Sequence, residues 1–177
     1  MKNKTILITF LRHGKNNYAK KGVPWHPGPN LNKLGKIQAE KTGKYLSDFI
    51  FDKIMSSDMN RARQTAEIIN KYQKKNKSFE NISFYRELAE HDESIYVGKT
   101  PKSKLQLKEE LLKAEVTIGF FKRILADKTN AGKRILIPAH GNVIRACIGT
   151  SLGYKLRECP ELNSFNCSLS SLSLIHI

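Results

Sequence analysis

The sequence contains no apolar run that approaches the roughly 20 residues needed to cross a bilayer. A short apolar stretch lies within the first eleven residues, but it is too short for a signal-peptide core, and no small-residue cleavage site follows it. We therefore expect no membrane partner and a cytoplasmic location. A length of 177 residues predicts a single domain, 1–177, that can bury a substantial core.

Cysteine is scarce in the sequence. The chain has an odd number of cysteines, three, at Cys147, Cys159 and Cys167, and no two of them form a CxxC pair. This argues against a zinc site or a disulfide framework. No carboxylate cluster has the spacing of a metal site, and no GxxxxGK[ST] loop for a nucleotide is present. The sequence thus predicts neither a metal nor a cofactor.

Acidic residues are few, since 16 Asp and Glu stand against 31 Lys and Arg, for a net charge of +15. Such a surplus attracts anions, whether nucleic acid, acidic lipid or phosphorylated small molecules. Most of it is scattered lysine, and the densest run, 71–77, is typical of a solvated loop. Because no basic patch with interleaved aromatic residues appears, we do not expect nucleic acid as a partner.

Apolar segments of strand length alternate with helical patterns along the chain. Runs typical of strands lie at residues 5–11, 52–57, 82–85, 134–139 and 169–177. Apolar residues at helical spacing predict helices over residues 33–49, 61–72, 103–127 and 143–152. Asn32 is the predicted N-cap of the first helix, and Ser57 or Asp58 that of the second. The alternation predicts a three-layer α/β/α sandwich around a mostly parallel sheet.

Two of the predicted strands end in the same way. The first is followed by Arg12, His13 and Gly14, and the fourth by His140 and Gly141. Open α/β sheets place their chemistry just past the carboxyl ends of strands, and glycine lets the backbone turn tightly or approach a ligand. The two imidazoles are therefore the strongest candidates for a functional site.

Arg61, early on its helix, adds a second guanidinium near a helix N-terminus that favours anions. Arginine forks match phosphate oxygens bidentately, so these residues together predict a pocket for a phosphoryl group. The proline- and glycine-rich loop at 22–30 lies near the mouth of this pocket. Trp25 and His26 contact substrate there, or else the loop packs on its own indole; both alternatives are open at this stage.

Six blocks of the sequence resemble, in order, those of the histidine phosphatase superfamily, the phosphoglycerate-mutase-like fold. The Arg-His-Gly signature stands at 12–14. Segments 30–39 and 56–66 resemble Pro-Leu-Thr-x-x-Gly-x-x-Gln-Ala and Ser-Ser-x-x-x-Arg-Ala-x-Gln-Thr-Ala. Segments 88–90, 139–146 and 166–168 are similar to Leu-x-Glu, Ser-His-Gly-Gly-Val-Ile-Arg and Asn-x-Ser. The resemblance spans most of the chain.

The resemblance implies a metal-independent phosphomonoesterase of the histidine acid type. His13 is implied as the nucleophile that forms a phosphohistidine, and Glu90 as the general acid and then the base. Arg12, Arg61 and His140 are implied to bind the phosphoryl oxygens and to stabilise charge. Further substrate contacts are predicted at Gly14, Asn16, Gly141 and Asn166. Arg63 and Arg145 are interpreted as structural ion-pair residues or surface residues.

The sequence departs from the family pattern in two places. Asn16 and Ala19 stand where the family often has Ser or Thr and then Asn, and Asn17 would need a different loop path to substitute. Ile-Tyr-Val-Gly-Lys, at 95–99, replaces the usual Gly-x-x-Glu-Gly after the acid. This region shapes the pocket over the leaving group, so the family does not specify the substrate.

Three functions remain open at this stage. The resemblance favours a phosphatase over a mutase, because mutases of this fold generally carry extra segments after the acid that close the site. Here only about forty residues separate Glu90 from the strand at Arg134, and one long helix uses most of them. A non-catalytic phosphate-binding module is the third. The expected partner is a phosphorylated small molecule, although a phosphoprotein also fits, and the cationic surface suggests a polyanionic substrate. The sequence does not predict the oligomeric state.

Overall fold

The computed structural model describes residues 5–17, 25–73, 82–96, 99–101 and 103–175. Its five strands are β1 (Thr5–Arg12), β2 (Lys53–Ser57), β3 (Ile82–Tyr85), β4 (Arg134–Ala139) and β5 (Leu169–Ile175). They form one sheet in the order β3-β2-β4-β1-β5. All neighbouring pairs are parallel except β1 with β5. Ala19, the segment 74–77 of the lysine-rich run and the last two residues of the predicted final strand lie outside the described residues.

Four α-helices cover the two faces of the sheet. They are α1 (Lys33–Tyr45), α2 (Asn60–Asn70), α3 (Lys104–Ala126) and α4 (Gly141–Ser151). Helices α3 and α4 pack together on one face, and α1 and α2 pack together on the other. The predicted three-layer α/β/α sandwich is confirmed. None of the described helices is both long and apolar enough to span a membrane.

Alternation along β1 explains why both faces of the sheet are buried. Ile6, Ile8 and Phe10 pack into the core beneath α3 and α4, whereas Leu11 packs into the core beneath α2. Successive side chains of a strand point to opposite faces, and burying one such side chain fully contributes about 1.5–3 kcal/mol. The central strands are thereby held rigidly, and so are the residues at their carboxyl ends.

Helix α1 differs from its prediction in the face that it buries. Of the apolar residues that define the pattern, Leu34, Ile37 and Tyr45 are exposed, and the buried positions are Gly35, Ala39 and Gly43. A Cβ on Gly35 would lie 1.9 Å from the Lys15 carbonyl oxygen, so the helix packs through its smallest residues. The helix also ends at Tyr45 and is followed by one 3₁₀ turn, Leu46–Asp48.

The helix caps were predicted with mixed success. The Asn32 side chain accepts a hydrogen bond from the Gly35 amide at 2.8 Å, which confirms the N-cap of α1. The prediction of Ser57 or Asp58 as the cap of α2 was wrong, because Met59 holds that position without a side-chain cap. Helix α4 begins at Gly141, two residues earlier than predicted, since the His140 carbonyl accepts from the Ile144 amide at 2.9 Å.

Candidate active site

The two histidines lie side by side at one edge of the sheet. Strands β1 and β4 are parallel neighbours with Arg12 opposite Ala139, so both carboxyl ends stop at the same level. The imidazole rings of His13 and His140 meet edge to face with 5.1 Å between centroids. The predicted convergence of the two His-Gly segments is therefore observed.

Hydrogen bonds define the protonation of His13. Its Nδ1 lies 2.8 Å from the Gly14 carbonyl oxygen, and its Nε2 accepts a hydrogen bond from Arg61 Nε at 3.1 Å. The proton therefore belongs on Nδ1, and Nε2 keeps its lone pair. Burial lowers the pKa of His13 to about 3, and the charges of Arg61 and Arg12 act in the same direction. The imidazole is neutral at pH 7, with its lone pair on the nitrogen that faces a guanidinium.

The guanidinium groups of Arg12 and Arg61 have hydrogen-bond donors available for a bound anion. Arg12 donates through Nη1 to the Ser164 carbonyl oxygen, but its Nε is buried and has no hydrogen-bond partner among the described residues. Burial lowers the pKa of Arg61, and the charge of Arg12 adds to this. Like charges held this close repel each other, so a bound anion would relieve the repulsion and supply the missing acceptor.

Glu90 is the acidic group of the site. Burial raises its pKa to about 7, against the opposing charges of Arg61 and Arg12. Its Oε1 accepts from the Asn142 amide at 3.2 Å, and its Oε2 lies 3.8 Å from His140 Nδ1. A carboxyl group that exchanges its proton near neutral pH is suited to general acid–base chemistry.

A buried polar network supports the Glu90 segment. Asn142 Nδ2 donates to the His91 carbonyl oxygen at 2.9 Å, and the Tyr96 hydroxyl donates to the Asn142 carbonyl oxygen at 2.8 Å. The same hydroxyl lies 3.0 Å from His91 Nε2. Arg145 is buried against the ring of Tyr96, with its Cζ 3.7 Å from the centroid, which confirms a structural role and excludes a surface one.

His140 lies deeper than His13. It is fully buried, its Nε2 lies 2.9 Å from Ser57 Oγ, and its Nδ1 has no hydrogen-bond partner in the described part of the chain. Burial lowers its pKa well below the ordinary value, and the neighbouring His13 and Arg61 reinforce the shift. Nδ1 is therefore the atom through which His140 can hydrogen-bond a group that is bound in the site.

A cleft of about 290 Å³ opens above these groups. Its walls are Arg12, His13, Lys15, Asn16, Trp25, Pro29, Arg61, Glu90 and Asn166. Two guanidiniums and a lysine at its wall make it a site for a small anion. Six of the nine residues predicted for the site line it; His140, Gly14 and Gly141 do not.

Gly14, Gly141 and Asn166 each contact other parts of the protein at the site. Gly14 donates its amide to Thr65 Oγ1 at 3.1 Å, and a Cβ there would meet the Gly35 carbonyl oxygen at 2.4 Å. Its contact is thus with the protein, and the predicted substrate contact finds no free amide there. Gly141 packs beside the Arg12 guanidinium. Asn166 faces the cleft while its Nδ2 donates to the His13 carbonyl oxygen at 3.0 Å.

The described part of the loop before α1 places Trp25 and His26 differently, and their contact with substrate stays a prediction. Trp25 lines the cleft, whereas His26 lies outside it and pairs with Asp58 at 2.9 Å. Asn17 is not among the walls of the cleft, and its side-chain oxygen accepts a hydrogen bond from Asn32 Nδ2 at 3.2 Å.

His13, Glu90 and His140 also form a possible metal-binding set, since one ligand atom of each lies within 4.8 Å of the others. The sequence did not indicate this set, because the three residues come from separate segments. Arg12 and Arg61 stand beside it, and their positive charges oppose a cation at this position. The surroundings favour an anion.

Comparison with known proteins identifies the family. The family model of the histidine phosphatase superfamily (branch 1) matches residues 8–117. The chain belongs to this superfamily. A broad-specificity phosphatase of Saccharomyces cerevisiae is 27% identical over 193 aligned residues, which cover 98% of this chain and 81% of that protein. The mitochondrial serine/threonine-protein phosphatase Pgam5 of Drosophila persimilis is 31% identical over 82% of this chain, which spans 51% of that longer protein.

Solved structures show the same fold. A mycobacterial glucosyl-3-phosphoglycerate phosphatase superposes with a TM-score of 0.72 at 20% identity, covering 96% of this chain and 91% of that chain. A phosphoglycerate mutase of Bacillus anthracis superposes with a TM-score of 0.73 at 19% identity, covering 98% and 90%. The fold of this chain is thus shared with a phosphatase and with a mutase.

The sequence patterns did not predict a role in the site for three residues, Ser57, Lys15 and Asn142. Ser57 was read as a helix cap, although its hydroxyl contacts His140; its place at the carboxyl end of a central strand was the available signal. Lys15 lines the cleft directly after the Arg-His-Gly signature. The backbone amide of Asn142 donates to Glu90, and the residue type at position 142 gives no indication of this contact.

Proposed function

We propose that this histidine phosphatase hydrolyses phosphomonoesters through a phosphohistidine on His13. The observation that carries the proposal is the lone pair of His13 Nε2, which is held on a neutral imidazole against the Arg61 guanidinium at 3.1 Å. A neutral nitrogen nucleophile next to fixed cations is what attack on a phosphoryl group requires. The relatives named as phosphatases support the hydrolysis of phosphate esters.

In the first step, His13 Nε2 forms a bond to phosphorus and the bond from phosphorus to the leaving oxygen breaks. Arg61 Nε must release Nε2 at this point, and the phosphoryl oxygens take over its hydrogen bonds together with those of Arg12. Glu90, with a pKa near 7, delivers its proton to the departing alkoxide.

In the second step, water attacks the phosphohistidine. Glu90, now ionised, takes a proton from that water, the N–P bond breaks, and inorganic phosphate leaves. His140 Nδ1, which faces Glu90 Oε2 at 3.8 Å, is placed to hydrogen-bond a phosphoryl oxygen in both steps.

The test is a phosphate-release screen over many phosphomonoesters, together with mass spectrometry of the protein quenched at alkaline pH. We expect one phosphoryl group on His13 during turnover and none in His13→Ala. Wild-type turnover in His13→Ala would overturn the proposal. A coupled assay with 3-phosphoglycerate distinguishes a mutase, which would isomerise the substrate and release little phosphate.

A further inference from the structure

A second cavity of about 260 Å³ adjoins the cleft and shares two wall residues with it, Trp25 and Glu90. We call it the annex. Its remaining walls are Arg86, Glu87, Ala89, Leu112, Lys113 and Val116. The mechanism above leaves all six of these residues without a role.

The annex presents an exposed apolar surface. Leu112 on α3 is 62% exposed, Val116 one turn later is 46% exposed, and Trp25 across from them is 47% exposed. Trp25 is held toward α3 by Lys113, whose Nζ lies 4.9 Å from the indole centroid. Large apolar side chains that converge on one open cavity mark a binding site for an apolar group.

The charges around the annex are already paired within the protein. Lys113 contacts Glu110 at 2.5 Å, Glu87 contacts Arg123 at 3.5 Å, and Arg86 lies 3.9 Å from Asp58. In the cleft, by contrast, the Nε of Arg12 has no partner within the described chain. Among the described residues, both cationic side chains of the annex, Arg86 and Lys113, thus lie beside a carboxylate, so the annex attracts a second anionic group less strongly than the cleft does.

Glu90 connects the two cavities in the proposed reaction. It protonates the leaving oxygen, so that oxygen must lie next to its carboxyl group, and the carbon bonded to the oxygen continues away from His13. The annex lies against Glu90 and is not lined by His13, Arg12 or Arg61. It is therefore the space into which this carbon extends. A cavity of about 150 Å³ holds benzene, so the annex has room for one ring or a short alkyl chain.

We propose that the annex is the leaving-group subsite and that the enzyme prefers monophosphates of apolar alcohols, aliphatic or aromatic. This proposal rests on the proposed function, and it replaces the polyanionic substrate suggested by the cationic surface. Leu112, Val116 and Trp25 are the residues that determine this specificity.

The experiment compares ethyl, butyl and hexyl phosphate, whose primary alcohols have nearly equal basicity, with glucose 6-phosphate as a polar six-carbon control. Because the annex is open on one side, we take each methylene of the alkyl chain to gain half of the free energy of its full transfer from water to an apolar environment. We expect kcat/KM to rise about twofold per methylene, hence about 15-fold from ethyl to hexyl. Glucose 6-phosphate should stay near the ethyl ester. A flat series would overturn the proposal.

Two substitutions at exposed residues of the annex test whether the preference for longer alkyl chains arises there. Leu112→Ser and Val116→Thr should each lower the hexyl-to-ethyl ratio of kcat/KM by about threefold or more. Leu105→Ser, on the same helix, 67% exposed and outside the annex, is the matched control and should preserve the ratio. Equal loss of the ratio in all three variants would contradict a role for the annex.

A binding measurement separates this proposal from the proposed function. Calorimetry with ethyl- and hexylphosphonate, which carry no hydrolysable ester, reports on the annex without turnover. Tighter binding of hexylphosphonate than of ethylphosphonate, with no hydrolysis of the corresponding alkyl phosphates, would sustain the annex and overturn the phosphatase mechanism. Hydrolysis with equal binding of the two phosphonates would sustain the mechanism and overturn the annex.

Discussion

The ends of β1 and β4 carry the same local sequence and hold their histidines differently. His13 and His140 each follow a buried strand, each precede a glycine, and each have a lowered pKa because they are buried. Nε2 of His13 meets the Arg61 guanidinium at the cleft, whereas Nε2 of His140 meets the Ser57 hydroxyl in the interior. The difference teaches that the role of an imidazole depends on which nitrogen keeps a lone pair and what space it faces.

The largest expected effect tests this difference directly. His13→Ala should lower kcat by about 10⁴-fold or more and abolish the phosphoenzyme, because the attacking nitrogen is lost. His140→Asn should lower kcat by about 10²-fold and still form a phosphoenzyme, because only oxygen stabilisation is weakened. Rapid-quench kinetics with mass spectrometry measure both. A phosphoenzyme in His13→Ala would reverse the two assignments.

Glu90 has a carboxylate oxygen within 4.8 Å of a ring nitrogen of each histidine, and its substitution should give the next largest effect. Glu90→Gln should lower kcat for alkyl phosphates by about 10²–10³-fold, since the leaving alkoxide loses its proton donor. The pKa of Glu90 is raised to about 7, so the wild type is active while this group is protonated and loses activity as the pH rises through 7.

The ratio of wild-type to Glu90→Gln activity isolates that titration from the ionisation of the substrate. We expect the ratio to be level near pH 5–6 and to fall about tenfold per pH unit above 7. A ratio that does not change between pH 5 and 9 would refute the assignment of Glu90 as the acid.

Ser57→Ala sharpens the comparison on the side of His140. The substitution leaves His140 Nε2 buried without its partner, which costs about 1–3 kcal/mol of stability and lets the ring turn. We expect kcat to fall about tenfold, and His13 to be phosphorylated as before. Ser56→Ala is the control: its hydroxyl is equally buried but donates to the Ser57 carbonyl oxygen, so it should leave kcat within about twofold.

The smallest effect concerns the metal-binding set of His13, Glu90 and His140. Because two guanidiniums stand beside these ligands, we expect chelators such as EDTA to leave kcat/KM unchanged within error. Activity assays before and after dialysis against chelator measure this. A loss of activity that added zinc restores would show that the two histidines act together as ligands, which would remove the distinction between them.

Much of the fold was predictable because it depends on local patterns. The strand at 5–11 and the Asn32 cap follow from side-chain size and hydrogen-bonding capacity, and both were confirmed. The buried face of α1 was not predictable from periodicity, since Gly35 and Gly43 pack against neighbours that are distant in sequence. Close approach between backbones depends on the partner surface, which a helical pattern does not describe.

The sequence alone determined which chemical groups this protein can bring to its site: two imidazoles, two guanidiniums and a carboxyl group in the order of the histidine phosphatase superfamily. Only the tertiary structure decided their states. Burial and the bond from Arg61 leave His13 neutral with Nε2 unprotonated, and burial raises the pKa of Glu90 to about 7. Desolvation and hydrogen-bond direction arise from packing between segments that are distant in sequence: Arg61 is 48 positions from His13, and Asn142 is 52 positions from Glu90. No local stretch of sequence therefore encodes them.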